Sequence, residues 1–466
     1  MLTYSFENKG GLSLYEFLYK SIRDDILSGK LHKQEKLPSK RALAEHLGIS
    51  TITVENAYNQ LMAEGYIYSK VKSGYYVSVI DSPDFYTVAE PCIASDEKED
   101  TDEVIYTADF TNNATTQKSF PFDTWAKLMR QTLSEKQDRL ILSSPSIGIR
   151  ELRVAISDYL FQFRGIVADP DCIVVGAGTE YLYSLIIQLL GRGKKYALED
   201  PGYNKIAQIY KANNVAFDYI PLDDYGVSTE ALKNSCADVL HISPSHHFPT
   251  GIVTPVTRRY ELLSWASDSE ERYIIEDDYD SEFRFSGKPI PSLQSIDKSG
   301  RVIYINTFSK SLTATIRISY MVLPKALMNL YCKELSFYSC TVSNFEQYTL
   351  AAFIRQGYFE KHINRMRNYY RTQRDRVMLA IKNHPLYSKV NIKEEDSGLH
   401  FLMSVDTDLG DKELTEKARA EGVNLTCLSH YYKDKDTAPQ HTLIVNYSGL
   451  AKENVQSAVD RLFECI

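Results

Sequence analysis

The sequence predicts an α/β chain in two parts: a small helical head closed by a β-hairpin, and a larger domain built on a mostly parallel sheet. Three observations carry that prediction. Apolar residues recur at helical spacing between Tyr15 and Leu61, with a glycine turn between two of the segments. Between Ile173 and Ile305, short apolar runs alternate with helical stretches, and each run ends in a polar cluster. A proline-bearing acidic stretch separates the two parts. For 466 residues two or three domains are expected, and an apolar fraction of 43% suffices to bury full-sized cores.

In the head, residues 11–78, Tyr15, Leu18, Ile22 and Ile26 mark one face of a first helix, and Gly29 offers its stop. Ser39 is a natural N-cap for a short helix whose apolar face is Ala42, Leu43 and Leu47. Gly48-Ile49 makes a turn. From Ser50 a further helix carries Val54, Ala57, Tyr58 and Leu61 at i, i+3, i+4 and i+7. Helix, tight turn and helix is the arrangement that places a second helix in a major groove. Tyr66–Tyr68 and Tyr75–Val77 read as strands, with Lys70, Lys72, Ser73 and Gly74 between them. Such a basic, glycine-tipped hairpin suits a wing against phosphates. The competing reading of this periodicity is an ordinary small helical bundle.

Residues 79–103 hold nine acidic residues against one lysine, with Pro83 and Pro91, and read as a linker. The alternative, a charged loop of one domain, is disfavoured by its length. The net charge of -8 argues against wholesale coating of nucleic acid but leaves room for a local DNA-binding face. Cys92, Cys172, Cys236, Cys332, Cys340, Cys427 and Cys465 form no CxxC pair and no zinc-spaced cluster, so free thiols in a reducing compartment and no metal are expected. With no signal-like leader and no run of ~18 apolar residues, a soluble cytoplasmic chain without a membrane is expected.

The larger part, residues 104–466, repeats one grammar. Ile173-Val174-Val175 leads into Gly176-Ala177-Gly178-Thr179, and a helical stretch follows through Leu182 and Ile186. Tyr196-Ala197-Leu198 leads into Glu199-Asp200-Pro201-Gly202-Tyr203. Val239–Ile242 leads into a segment ending Phe248-Pro249-Thr250-Gly251. Tyr273-Ile274-Ile275 leads into Glu276-Asp277-Asp278-Tyr279, and Val302–Ile305 into Asn306-Thr307-Phe308-Ser309-Lys310. Ligands of parallel sheets sit beyond the C-terminal strand ends, so these clusters converge on one site.

Each cluster suits part of one ligand. Gly178-Thr179 at a helix start offers N–H groups to a phosphate, to which Thr307, Ser309 and Arg317 add hydroxyls and a forked cation. Asp277 is placed to keep a pyridine nitrogen protonated, and Lys310 to form a Schiff base with an aldehyde. Tyr203 would stack on the ring and Tyr279 would hydrogen-bond its phenolic oxygen. Singly these residues have plainer readings: a solvated lysine, a strand-end cap, an ion-pair partner, core tyrosines. His246 and His247 read as loop or core histidines.

The segment LPSKRALAEHLGISTITVENAYNQLMAEGYIYSKVKSGYYV closely resembles the GntR-type winged helix-turn-helix. The stretches PSHHFPTG, YIIEDDYDSEF and INTFSKSLTATIRISYMVLP resemble fold-type-I aminotransferases, and the combination resembles the MocR/GabR regulators from Leu14 to Phe463. The resemblance implies a smaller C-terminal α/β subdomain, pyridoxal 5′-phosphate as cofactor, double-stranded operator DNA as partner, and a head-to-tail, domain-swapped homodimer. It implies Lys310 as the Schiff-base lysine and Asp277 as the pyridinium partner, with Tyr203 and Tyr279 at the ring. Gly178, Thr179, Thr307, Ser309 and Arg317 would surround the phosphate. For DNA it implies contacts from Ser39, Lys40, Arg41, Ser50, Thr51, Thr53, Lys72 and Gly74. Many members carry arginines in the recognition helix; here Thr51 and Glu55 stand there, so the operator does not carry over.

The γ-aminobutyrate-responsive members clamp their effector with an arginine after the Pro-Gly-Tyr motif and a second near the C-terminus. Here those regions read Tyr203-Asn204-Lys205 and Ile444-Val445-Asn446-Tyr447-Ser448, with no arginine. Lys205 is left as the effector-binding candidate, and Arg355 or Arg365 as replacements from elsewhere. Two effectors stay open, an amino-acid-type molecule and pyridoxal phosphate itself. The expectation is a regulator and not a physiological aminotransferase; the alternative is an active aminotransferase carrying a DNA-binding domain.

Overall fold

In the head, α1 (Leu14–Leu27) begins where the Ser13 N–H donates to the Glu16 carboxylate at 3.0 Å. Leu18, Ile22 and Ile26 are buried as the spacing predicts, but Tyr15 stays 39% exposed. The buried stripe thus starts one turn later than expected, because an amphipathic ring in a helix's first turn is stable at the water boundary. The structure, a computed structural model, describes residues 2–6, 10–79, 106–111, 120–285, 290–393 and 398–466.

Ser39 caps α2 (Lys40–Leu47), its Oγ accepting from the Ala42 N–H at 3.2 Å. Gly48, at φ 65°, turns the chain, a left-handed conformation that glycine adopts without a Cβ penalty. Ser50 caps α3 (Thr51–Ala63) by accepting from the Thr53 N–H at 3.1 Å. Val54, Ala57, Tyr58 and Leu61 are fully buried. The hairpin follows as β1 (Ile67–Lys70) and β2 (Gly74–Val77), antiparallel, with Ile67 opposite Val77 and Lys70 opposite Gly74. One apolar core joins the three helices to the inner hairpin residues Ile67 and Val77.

The chain divides into two compact units after residue 103. Beyond Val79, the expected linker lies outside the described residues.

The second unit carries an eight-stranded sheet. In chain order its strands, with three of the helices between them, are β3 (Ile173–Gly176), α4 (Thr179–Leu190), β4 (Lys195–Asp200), α5 (Asn204–Ala212), β5 (Ala216–Asp223), β6 (Gly226–Val227), β7 (Val239–Ile242), β8 (Tyr273–Asp277), β9 (Val302–Thr307), α6 (Phe308–Ser311) and β10 (Ser319–Val322). The strand order is β3-β10-β9-β8-β7-β4-β5-β6. Strands β9, β8, β7, β4 and β5 pair in parallel. Strand β10 runs antiparallel between β9 and β3. All four of its residues are buried, so Ser319–Val322 shows no alternation, and an apolar run of that kind does not disclose its direction.

A smaller antiparallel sheet follows: β11 (Val390–Lys393), β12 (His400–Val405), β13 (Thr426–Cys427) and β14 (Thr442–Asn446), in the order β11-β12-β14-β13. It shares a core with the helices Tyr358–Lys382, Asp411–Ala420 and Val455–Cys465. This is the expected smaller α/β subdomain. Among the described residues six cysteines are free thiols, no helix is long and apolar enough to cross a membrane, and no cluster of His, Cys, Asp and Glu could hold a metal; Cys92 lies outside them.

Candidate functional site

A cavity of about 520 Å³ opens at the C-terminal ends of β3, β4, β7, β8 and β9, where a parallel sheet leaves helix N-termini and loops free to converge. Its lining includes Gly178, Thr179, Tyr203, Lys205, Asp277, Tyr279, Thr307, Ser309, Lys310 and Arg317. These residues span 140 positions of sequence, so the sheet alone brings them together.

One end is shaped for an anion. Gly178 precedes α4 at φ 95° and ψ 159°, and Thr179 is the first helical residue. A Cβ at Gly178 would meet Arg317 Nη2 at 2.6 Å, so the guanidinium packs directly over the glycine. Thr307 caps α6, its Oγ1 accepting from the Ser309 N–H at 3.1 Å and from Ser319 Oγ at 2.8 Å. Arg317 Nη2 lies 3.0 Å from Glu180 Oε2, and Lys205 Nζ pairs with Glu180 Oε1. The Lys205 ammonium, expected to meet an effector, is thus engaged by the chain's own carboxylate.

The other end is shaped for a ring. Asp277 closes β8, and its Oδ2 accepts from the buried Tyr183 hydroxyl at 2.5 Å, with His241 Nε2 at 3.8 Å. Its Oδ1 is buried and has no hydrogen-bond partner among the described residues. Tyr279 Oη lies 3.3 Å from His246 Nδ1, which is 2.8 Å from Asp280 Oδ2. Burial lowers the pKa of Lys310, which raises the share of free amine available as a nucleophile. Tyr203, 50% exposed, stands edge-on to Phe248 with centroids 5.9 Å apart. His246 and His247 are buried on Asp280 and Thr250.

These residues fit pyridoxal phosphate. A buried carboxylate oxygen left unpaired costs free energy unless a donor completes it, and a protonated pyridine nitrogen is such a donor. Gly178-Thr179 at the start of α4 and the Arg317 guanidinium beside them are the helix N–H groups and forked cation that a phosphate takes.

The predicted set lacked Tyr183, His241, Glu180 and Asn446. Tyr183 stands four residues after Thr179 on α4, a spacing that would have found it. Asn446 ends β14 directly opposite His400. Its Oδ1 accepts from the Ser448 N–H at 3.0 Å and Oγ at 2.8 Å, and the residue lines the cavity. Arg355 lines a different pocket, and Arg365 reaches His362; neither lines this cavity.

On the head, Ser39, Arg41, Ser50 and Thr51 are exposed and Thr53 is half-buried. Lys72, at φ 60°, lies in the hairpin turn, and Gly74, at φ 117°, opens β2. Lys40 does not stand free, because its Nζ is paired with Glu55 of α3.

Residues 109–462 match the family described as aminotransferase class I and II, and residues 14–77 the bacterial regulatory proteins of the gntR family. The uncharacterized HTH-type transcriptional regulator YdeL of Bacillus subtilis strain 168 is 39% identical over 451 residues, covering 97% of this chain and 96% of that protein. The probable rhizopine catabolism regulatory protein MocR of Rhizobium meliloti is 30% identical over 466 residues, covering 96% and 93%. Among solved structures, the multiple substrate aminotransferase of Thermococcus profundus superposes with a TM-score of 0.69 at 26% identity, over 79% of this chain and 92% of that one.

Proposed function

This chain belongs to the MocR-type transcription regulators, a gntR-family head joined to a class I and II aminotransferase domain, and we propose that it binds pyridoxal 5′-phosphate at the strand ends and reports the state of that site to operator DNA. The observation that carries this reading is the buried Asp277 Oδ1, left without a hydrogen-bond partner among the described residues, on a residue that lines the same cavity as Lys310, Gly178 and Arg317. When bound, the cofactor supplies an aldehyde for a primary amine and an electron-accepting ring. Lys310 would bring the amine, its pKa lowered by burial. Asp277 would hold the ring nitrogen's proton at Oδ1 while Tyr183 fixes its Oδ2. Tyr279 would donate to the phenolic oxygen, and Tyr203 would cover the ring at the mouth. Gly178, Thr179, Thr307, Ser309 and Arg317 would hold the phosphate.

Cofactor occupancy itself is the signal we favour. Among the described residues, Arg317 is the one guanidinium lining the cavity, and it sits at the anion end, so no second fork clamps a carboxylate. Asn446 favours a second reading, an amino-acid-type effector met by a neutral donor. Regulation then follows from linkage: a ligand that favours one arrangement of a dimer shifts operator affinity by its differential binding. In the head, Arg41, Ser50 and Thr51 would approach backbone or bases, and Lys72 and Gly74 would form the wing contact.

The test is Lys310→Ala against wild type, titrated with pyridoxal phosphate and then with D- and L-amino acids, with operator binding measured in parallel. Wild type is expected to give a borohydride-fixed adduct on Lys310 and a ligand-dependent shift in DNA affinity. The variant should lose both and keep basal operator binding. Absence of any adduct in wild type refutes the cofactor reading. A spectrum altered by one amino acid transfers the signal to that effector, and sustained conversion of an amino donor and a keto acid makes the protein an enzyme.

A further inference from the structure

The anion end of the cavity already holds an anion of the chain's own. Glu180, the residue after Thr179 on α4, lies with Oε2 3.0 Å from Arg317 Nη2 and with Oε1 paired to Lys205. Both carboxylate oxygens are therefore committed to the cations of the anion end. Those partners, Lys205 ahead of Arg317, hold the Glu180 carboxyl below the usual range, so it is ionised at neutral pH. An incoming phosphate meets two cations and one carboxylate, a net charge of one where two stood available. It must displace Glu180 from Arg317 and Lys205 or sit beside a like charge, and either course weakens its hold.

We propose that Glu180 sets the affinity of the site by competing with the ligand's phosphate group for Arg317 and Lys205, so that pyridoxal phosphate is held reversibly. This rests on the phosphate cradle proposed above. Reversible occupancy is what a sensor of the cofactor needs, because a site filled permanently carries no information about concentration. A purely structural role, in which Glu180 orients Arg317 for the phosphate, predicts the opposite sign on removal. The two roles are thereby separable by direction alone.

The test titrates the full-length protein, as wild type, Glu180→Gln and Glu180→Ala, with pyridoxal phosphate, with pyridoxal, and with inorganic phosphate as competitor. Thermal melting of each variant serves as the check on folding. Glu180→Gln keeps the side-chain shape and removes the charge. Because these side chains are partly exposed and screened, the expected gain is modest, about three- to tenfold tighter binding of pyridoxal phosphate in both variants. Inorganic phosphate should compete more strongly, while pyridoxal, which lacks the phosphate, should change less than about twofold. Unchanged or weaker binding of pyridoxal phosphate in well-folded variants overturns the proposal. So does an equal gain for pyridoxal, which would remove the phosphate from the explanation. Failure of every form, wild type included, to bind pyridoxal phosphate would instead sink the cofactor reading, and this inference with it.

Discussion

Replacing Gly178 by alanine probes backbone conformation and ligand anchoring at one atom. The native φ of 95° and ψ of 159° lie in a region open essentially to glycine alone, and a side chain held there costs about 1–3 kcal/mol. The added Cβ would also stand 2.6 Å from Arg317 Nη2 and 2.9 Å from its Cζ. The guanidinium is the end of a flexible, half-exposed side chain, so it gives way before the backbone does. If Arg317 anchors the phosphate as proposed, moving it removes a charge-assisted hydrogen bond worth about 1.5–3 kcal/mol, or roughly ten- to a hundredfold in affinity. Titration with pyridoxal phosphate and pyridoxal, beside thermal unfolding, reads the two effects separately. Gly178→Ala should melt a few degrees lower, bind pyridoxal phosphate more weakly, and bind pyridoxal nearly as wild type does. An unchanged melting curve would refute the backbone argument, and unchanged phosphate-dependent affinity would refute Arg317 as the anchor.

Tyr183→Phe removes the donor to Asp277 Oδ2 and leaves that oxygen with His241 at 3.8 Å; a loss of about 1–3 kcal/mol in unfolding free energy is expected, and a variant as stable as wild type would refute it. Burial pushes the Glu199 carboxyl up to about 8 and pulls His247 and His400 down to about 3. The native protein therefore binds more protons at Glu199 than the unfolded chain does, so that stabilisation is complete below 4.5 and is lost as pH rises to about 8. The histidines act oppositely: their contribution is complete above 6.5 and is lost as pH falls toward about 3. Of these three groups only Glu199 acts between pH 6.5 and 8, so denaturation midpoints should fall across that window, and Glu199→Gln should flatten the slope; parallel profiles would count against a neutral Glu199. On the head, Glu55→Gln frees Lys40 from its ion pair and should strengthen binding to non-specific duplex, steepening the log–log salt slope by about one; an unchanged slope would show that Lys40 meets no phosphate.

Much of the fold was legible because it rests on local signals. Ser39 and Ser50 cap the helices that their positions announce, and Gly48 turns the chain at positive φ, since capping and glycine freedom depend on neighbouring backbone alone. The apolar runs at β3, β4, β7, β8 and β9 became strands because their residues are buried on both faces. The antiparallel direction of strand β10 was not legible, since a uniformly buried run of four residues looks alike in either direction. Tyr15 was misplaced because helical spacing specifies an angle around the axis and not whether another element covers it.

The site divides along the same line. Its lining residues were readable from polar clusters at strand ends, since the sheet sends every C-terminal end to one side. The partners were not readable. Glu180 meets Lys205 across 25 residues and Arg317 across 137, and Tyr183 meets Asp277 across 94. Sequence determined which chemistry the chain carries, through capping, periodicity and residue type. Only the tertiary structure decided which charges are engaged and which oxygen is left unpaired, because electrostatic and hydrogen-bond pairing depends on distance in space and not on separation along the chain.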